Sequence, residues 1–253
     1  MMRVEDIVEK MRVWAPEDRQ EDWDNSGLQL YFPDGPVETV VVAMDVTPKV
    51  VYEAAQARHA MIVTHHPLFF GSLKSLDMST IKGSMIGDLI RREVSVYSAH
   101  TSLDKAKGGV NDQWIHPLGL KKVRPLSAEE EMGIVGETSL SREELKAAVA
   151  SMGVKDWRAY GSRAQEVKTV AFMGGSGADY ISLAAAQGAD LYITGDVKHH
   201  DAQGALEADI ELWDIGHYGS EAPVLDAIAR ELRPLDPCME VRVVGENEFS
   251  LEV

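Results

Sequence analysis

Cysteine is almost missing from this chain. Cys238 stands alone, which excludes an internal disulfide and leaves no thiolate cluster for a structural zinc. Any metal must then be held by nitrogen and oxygen, a donor set typical of catalytic sites. Long hydrophobic runs are missing too: nothing approaches the roughly 18 apolar residues of a membrane-spanning helix. The opening stretch, Met1 to Met11, alternates charged and apolar residues at helical spacing, where a signal peptide would show one continuous apolar segment; a cytoplasmic protein is expected. Basic residues are scarce, with 25 Lys and Arg against 41 Asp and Glu and a formal charge of −16. That charge repels phosphate backbones and no basic stripe interrupts it, so a nucleic-acid partner is disfavoured. A small phosphorylated substrate stays open, because bound divalent cations reverse the field locally. Aromatics are few, but 45% of the 253 residues are apolar, enough for a sizeable core in one large or two ordinary domains.

What is present is a repeating alternation of strands and helices. Val4, Ile7, Val8 and Met11 make the apolar stripe of an amphipathic helix. Val40 to Val46 reads as a buried strand, Pro48 starts a helix reaching about Arg58, and Met61 to Thr64 is the next strand, which together make a βαβ unit. A helix over Ser79 to Arg92 and a strand over Val94 to Ser98 follow, then a helix around Val110 to Leu118 and a strand over Lys122 to Leu126. The acidic stretch Ser127 to Glu131 is a candidate junction. Past it come a strand over Met132 to Glu137, a helix opened by the capping box of Ser141 and Glu144, and a strand near Trp157 to Tyr160. Val167 to Met173, Asp179 to Gln187 and Leu191 to Thr194 make a second βαβ unit. A strand over Ile210 to Ile215, a helix carrying Val224, Leu225, Ile228 and Leu232, and strands over Val241 to Val244 and Phe249 to Val253 complete the pattern. Ala54-Ala55-Gln56 through His65 can be laid without a gap on Ala185-Ala186-Gln187 through Asp196, which points to two similar halves. The expected architecture is α/β: two similar halves with mixed sheets facing a central metal-containing cleft. The first half covers residues 1–126, with 235–253 as a candidate to return to it, and the second covers 127–234.

Polar junctions at the carboxyl ends of strands carry the chemistry, because ligands of open α/β sheets bind there. The buried run Met61-Ile62-Val63 ends in Thr64-His65-His66-Pro67. On an extended backbone His65 and His66 would point to opposite sides and each serve one of two adjacent ions; alternatively one of them only hydrogen-bonds inside the fold. The next strand ends in His100, Thr101, Ser102 and Asp104. A third junction holds His217 and Glu221, four apart, the spacing that stacks two side chains on one helix face. Pro223 fits only near a helix start, so His217 also fits the preceding loop. His65, His66, Asp104, His217 and Glu221 together offer three imidazoles and two carboxylates, suited to two divalent ions of Zn, Fe, Mn or Mg. Two such cations need an anionic bridge, for which Glu221 is the candidate. Asp196 to Asp201 is expected to open a helix that places Asp196 and His200 on one face. Gly174-Gly175-Ser176-Gly177, between a strand and a helix, is either an anion cradle or a tight turn. The turn Trp23-Asp24-Asn25-Ser26-Gly27-Leu28 reads as structural.

These motifs, taken in order along nearly the whole chain, resemble the Nif-three-like dinuclear metal centre family, whose members are often described as homologues of a type-two GTP cyclohydrolase I. The resemblance implies two α/β halves around a two-metal site, with His66 and Asp104 holding one ion, His65 and His217 the other, and Glu221 bridging. It also implies a homo-oligomer, commonly a ring-shaped hexamer. A mid-chain insert found in some members has no room here. Chemistry of that kind is hydrolytic, through a hydroxide shared by the two ions, on a nucleotide such as GTP or another small phosphorylated or heterocyclic substrate. His100 and His200 are the candidates for proton transfer, or else they orient a ligand from behind. A non-catalytic metal-binding protein, regulatory or stabilising an assembly, is the competing expectation.

Overall fold

The computed structural model describes residues 2–163 and 165–245. The chain divides into two compact units, one running to Ala106 and resuming at Leu225, the other spanning Lys107–Val224.

In the first unit a short strand β1 (Met2–Arg3) leads into helix α1 (Val4–Trp14), which buries Val4, Ile7, Val8 and Met11. Its first turn is closed by Asp6, whose carboxylate accepts the Arg3 amide at 2.8 Å. Strand β2 (Gly27–Leu30) and the two-residue β3 (Pro36–Val37) precede the buried β4 (Thr39–Ala43). Helix α2 (Pro48–Gln56) has proline at its first turn and the Thr47 hydroxyl accepting the Val50 amide, the preorganised start that the fixed proline φ provides. Strand β5 (Ala60–Thr64), helix α3 (Ile81–Arg91), strand β6 (Ser95–Ser98) and the single turn α4 (Thr101–Asp104) follow. Strands β4, β5 and β6 are parallel neighbours, and β2 lies antiparallel on the outer edge of β6. Val41, Ile62, Val96, Leu89 and Ile86 form the centre of the core beneath the helices.

The second unit begins with a 3-10 turn at Asn111–Trp114 in place of the longer helix expected to Leu118. Strands β7 (Lys121–Ser127) and β8 (Met132–Glu137) then form an antiparallel pair, so the acidic stretch expected as a junction between halves is the turn of a hairpin. Glu131 takes a φ of 57° there. This is why the division falls at 106/107 where the sequence pointed to 126/127. Helix α5 (Arg142–Ser151) carries the expected capping box. Strand β9 (Arg158–Gly161), strand β10 (Thr169–Phe172), helix α6 (Ile181–Ala186), strand β11 (Leu191–Thr194), helix α7 (His199–Glu207) and strand β12 (Glu211–Asp214) complete the sheet. Its order is β7-β8-β10-β11-β12-β9, with β10, β11 and β12 parallel and β9 antiparallel beside β12.

Helix α8 (His217–Glu221) and helix α9 (Pro223–Leu232) are separate, the second opening on Pro223. The division at 224/225 falls inside α9, ten residues before the expected 234/235. The last described strand, β13 (Glu240–Val244), returns to pair parallel with β4 and completes the order β13-β4-β5-β6-β2. The candidate strand Phe249 to Val253 lies outside the described residues.

The two units share one plan. Three consecutive parallel strands linked by helices carry an antiparallel strand, earlier in sequence, on the edge beside the third: β2 beside β6, and β9 beside β12. The fold is α/β with a mixed sheet in each unit. Among the described residues no helix is long and apolar enough to cross a membrane.

Candidate metal centre

In the first unit the carboxyl ends of β4, β5 and β6 bring their junctions side by side, and the parallel ladder runs past the strand ends to fix them. The His65 amide donates to Ala43 O, the His66 amide to Met44 O and the Ala99 amide to Thr64 O. Thr64 adds a side-chain clamp, its hydroxyl donating to His66 O at 2.8 Å and lying 2.8 Å from Ser98 Oγ. His65, fully buried, places Nδ1 2.9 Å from the Ala99 carbonyl. A carbonyl oxygen only accepts, so Nδ1 carries the proton and Nε2 carries the lone pair. His66 does the same against Asp45 at 2.9 Å, and His100 against Asp24 at 2.8 Å. Asp104, at the end of α4, sets Oδ1 3.7 Å from His65 Nε2.

The expected separation of His65 and His66 does not occur. Strand β5 stops at Thr64, the chain bends, and the two rings converge with centroids 5.0 Å apart. The alternation of side chains holds only while the backbone is extended.

Asp24 is the centre of the turn read as structural. Its carboxylate accepts from His100 Nδ1, from the Thr101 amide at 3.0 Å and from the Ser26 hydroxyl at 3.0 Å. Burial pushes its pKa up, but the hydrogen bond and charge of His100, with the Thr101 hydroxyl and the Asn25 amide, outweigh that and hold the carboxyl far below the usual range. The turn therefore orients an imidazole as well as reversing the chain.

In the second unit Gly216, at a φ of 76°, lets β12 turn straight into α8, and His217 and Glu221 sit one turn apart on that helix. The alternative of His217 in a loop is removed, because Pro223 begins α9 and does not interrupt α8. His217 Nδ1 lies 2.7 Å from Asp196 Oδ2, and its Nε2 faces Glu221 Oε2 at 3.2 Å. Asp196 does not share a helix face with His200: it takes a φ of 55° in the loop before α7, a left-handed turn that a helix cannot continue through. His200 is exposed in the first turn of α7, edge-on to His199.

The glycine loop is not an anion cradle. Its Gly174, Gly175 and Gly177 amides donate to Asn111 Oδ1, Ser220 Oγ and Thr194 Oγ1 at 3.0, 2.9 and 3.0 Å. Its role is clearance: a Cβ on Gly175, already at a φ of 67°, would stand 2.4 Å from Glu221 Oε1. Gly175→Ala is expected to displace that carboxylate and weaken divalent-ion affinity by about 10–100-fold, the cost typical of disturbing a ligand's support. Chelator competition measures this, and unchanged affinity would remove the loop from the site.

All four imidazoles thus have Nδ1 tied to an oxygen acceptor and Nε2 left as the donor, the arrangement found behind metal-ligating histidines. An Nε2 lone pair facing a carboxylate oxygen, as in the His65–Asp104 and His217–Glu221 pairs, is repulsive unless a proton or cation lies between them. In the first unit the residues present fit a divalent ion; the second contributes the His217 Nε2 and the Glu221 carboxylate. The expected ligands all stand in these two sets; Asp45 and Asp196, which hold His66 and His217, and Asp24, which holds His100, were not expected in that role. Asp45 had a usable signal, an acid just past the end of a buried strand, as His65 is past the end of the next.

Fold and donors together define a two-unit α/β protein with histidine and carboxylate groups suited to divalent ions. The chain belongs to the Duf34/NIF3 (NGG1p interacting factor 3) family, whose model matches residues 2–248. It is 33% identical over 260 residues, 99% of each chain, to a GTP cyclohydrolase 1 type 2 homolog of Clostridium perfringens. It is 34% identical over 226 residues to GTP cyclohydrolase 1 type 2 of Helicobacter pylori, covering 87% of this chain and 88% of that one. A hypothetical protein of Staphylococcus aureus superposes with a TM-score of 0.88 at 27% identity, over 100% of this chain and 99% of that one.

Proposed function

We propose that the protein is a dinuclear metal-dependent hydrolase acting on a nucleotide or another small phosphorylated or heterocyclic substrate, with GTP ring opening as the leading candidate reaction. The observation that carries this reading is the set of four histidines anchored through Nδ1, at His65, His66, His100 and His217. His66 and Asp104 would hold one ion, His65 and His217 the other, and Glu221 would bridge. Bound there, two divalent ions supply Lewis acidity and an activated water at neutral pH.

The chain's own residues do the rest. Asp45, Ala99 and Asp196 fix the ring orientations behind His66, His65 and His217. His100 and His200 are the candidates to move a proton; His100 is buried beside the donors, and His200 is exposed to solvent. The names of the Clostridium and Helicobacter relatives support GTP as the first substrate to try. A cytoplasmic homo-oligomer, hexameric by the family resemblance, completes the proposal.

The test is to assay metal-loaded protein against GTP and simple phosphoesters, with His66→Ala beside it. Turnover that falls by at least about 100-fold in the variant, roughly 2.7 kcal/mol of transition-state stabilisation, supports the reading. Turnover that survives the substitution comes from elsewhere. No turnover of any substrate by protein carrying both ions leaves the metal site standing as a regulatory or assembly element.

A further inference from the structure

We propose that Trp23 and Phe70 form an aromatic subsite that takes the planar heterocycle of the substrate beside His100, which narrows the substrate class to ring-bearing molecules such as nucleotides, away from simple phosphoesters. This rests on the reading above that the strand ends of the first unit carry the reaction site.

Two large rings flank one buried imidazole. The ring centroid of Trp23 lies 5.8 Å from that of His100 and the centroid of Phe70 5.3 Å, with planes inclined to the imidazole at 74° and 77°. His100 is 8% exposed, whereas Trp23 and Phe70 are 61% and 56% exposed. Among the described residues neither meets any other aromatic ring, and none accepts a hydrogen bond from the Trp23 indole N–H. Apolar side chains scattered singly over a surface are ordinary, but two aromatic rings held in the open against the same buried group are not scattered. A flat heterocycle suits them, because it can stack on an aromatic face and accept the indole N–H at a ring heteroatom.

One turn sets both rings. Trp23 immediately precedes Asp24, whose carboxylate is fixed by His100 Nδ1, the Thr101 amide and the Ser26 hydroxyl. Asn25, next along, donates from Nδ2 to the Phe69 carbonyl at 2.7 Å, and Gln29 Oε1 accepts the Phe69 amide at 3.1 Å. The residue before Phe70 is thereby tied to the turn that carries Trp23, and that turn to His100.

Past this anchor the chain is unconstrained. Residues 70–76 are exposed and, among the described residues, make no hydrogen bond. A Cβ on Gly71 would meet nothing within 4 Å. Phe70 can therefore close on a bound ring without breaking a hydrogen bond, as substrate-covering loops do. The exposed Leu73 and Leu76 lie on the unanchored part of this segment, whereas the two rings sit at its anchored end; a small flat ligand fits that distribution better than a second copy of the chain.

The experiment titrates the metal-loaded full chain by calorimetry with GMP and with ribose 5-phosphate, which differ by the base alone. Wild type is expected to bind GMP at least about fivefold more tightly, the lower end of what one stacking aromatic contributes. Trp23→Ala and Phe70→Ala should each weaken GMP by at least about fivefold, with metal content and ribose 5-phosphate affinity unchanged. Trp23→Phe and Phe70→Tyr keep a ring and should stay within about threefold of wild type. Tyr52→Ala, which removes an exposed aromatic of α2, should change nothing. GMP and ribose 5-phosphate bound alike by wild type, or alanine variants that weaken both together, would overturn the subsite and leave the metal-dependent hydrolase standing. Alanine variants that change the oligomeric mass by light scattering while GMP affinity holds would also overturn it, giving the rings to self-association. A preference for GMP that depends on both rings, in a protein that turns over no substrate, would uphold the subsite and end the hydrolase reading.

Discussion

Replacing Glu221 by alanine is expected to remove at least one of two bound divalent ions. The side chain is 4% exposed, on α8 one turn from His217, with Oε2 3.2 Å from the His217 Nε2. Two cations about 3.5–4 Å apart repel strongly and persist only with an anionic group between them. In the proposed assignment alanine removes that group, and the space it leaves is closed in by Gly174 and Gly175, neither of which can supply a replacement carboxylate. Glu221→Gln keeps the shape and loses the charge, so it should lose metal as well. Elemental analysis after purification without chelator reads both variants. Retention of two ions by Glu221→Ala would remove the bridging role.

The largest stability loss is expected at Arg142, far in sequence from any of these donors. From the first turn of α5 its guanidinium makes a two-pronged contact with Glu211, at 2.7 and 3.2 Å, and Glu211 is 5% exposed. The hydrogen bond to Glu211 outweighs the burial cost on the guanidinium and holds the Arg142 pKa above its ordinary value. Trp213 Nε1 donates to the same carboxylate at 2.9 Å, tying the pair to the core of the second unit. Arg142→Ala leaves a buried carboxylate without its guanidinium counter-charge, a change worth about 3–5 kcal/mol. Removing both charges with Arg142→Met and Glu211→Leu should recover most of that loss, because the desolvation cost leaves together with the attraction. Chemical denaturation measures the three proteins. A loss below about 1 kcal/mol in Arg142→Ala would place the pair with ordinary surface bridges.

Much of the architecture was legible because buried strands announce themselves. The β-branched runs at Val40 and Met61 became β4 and β5, and the Ser141–Glu144 capping box opened α5 as expected. The place of His65 and His66 at the sheet's rim was legible for the same reason, since a histidine immediately after a buried strand has little room to be anywhere else. What failed were local decisions taken by tertiary partners. Ser127 to Glu131 is polar and acidic like a linker, yet β7 and β8 pair across it. Asp196 has helical spacing to His200, yet its carboxylate is used by His217, which holds it in the loop. The glycine loop has the composition of an anion site, but its amides are occupied by Asn111, Ser220 and Thr194, residues far off in sequence. The carboxylates behind the histidines were hidden because orientation through Nδ1 leaves no spacing rule: Asp24 is 76 residues from His100, and Asp45 is 21 from His66.

The most direct measurement is the metal content of the unaltered protein, purified without chelator and analysed by mass spectrometry of its elements. In the proposed assignment the histidines held through Nδ1, the buried Glu221 and the partly buried Asp104 hold close to two divalent ions per chain, drawn from zinc, iron, manganese or magnesium. A chain that purifies with none, and takes up none from zinc, iron or manganese solutions, would contradict the assignment of these side chains as metal ligands.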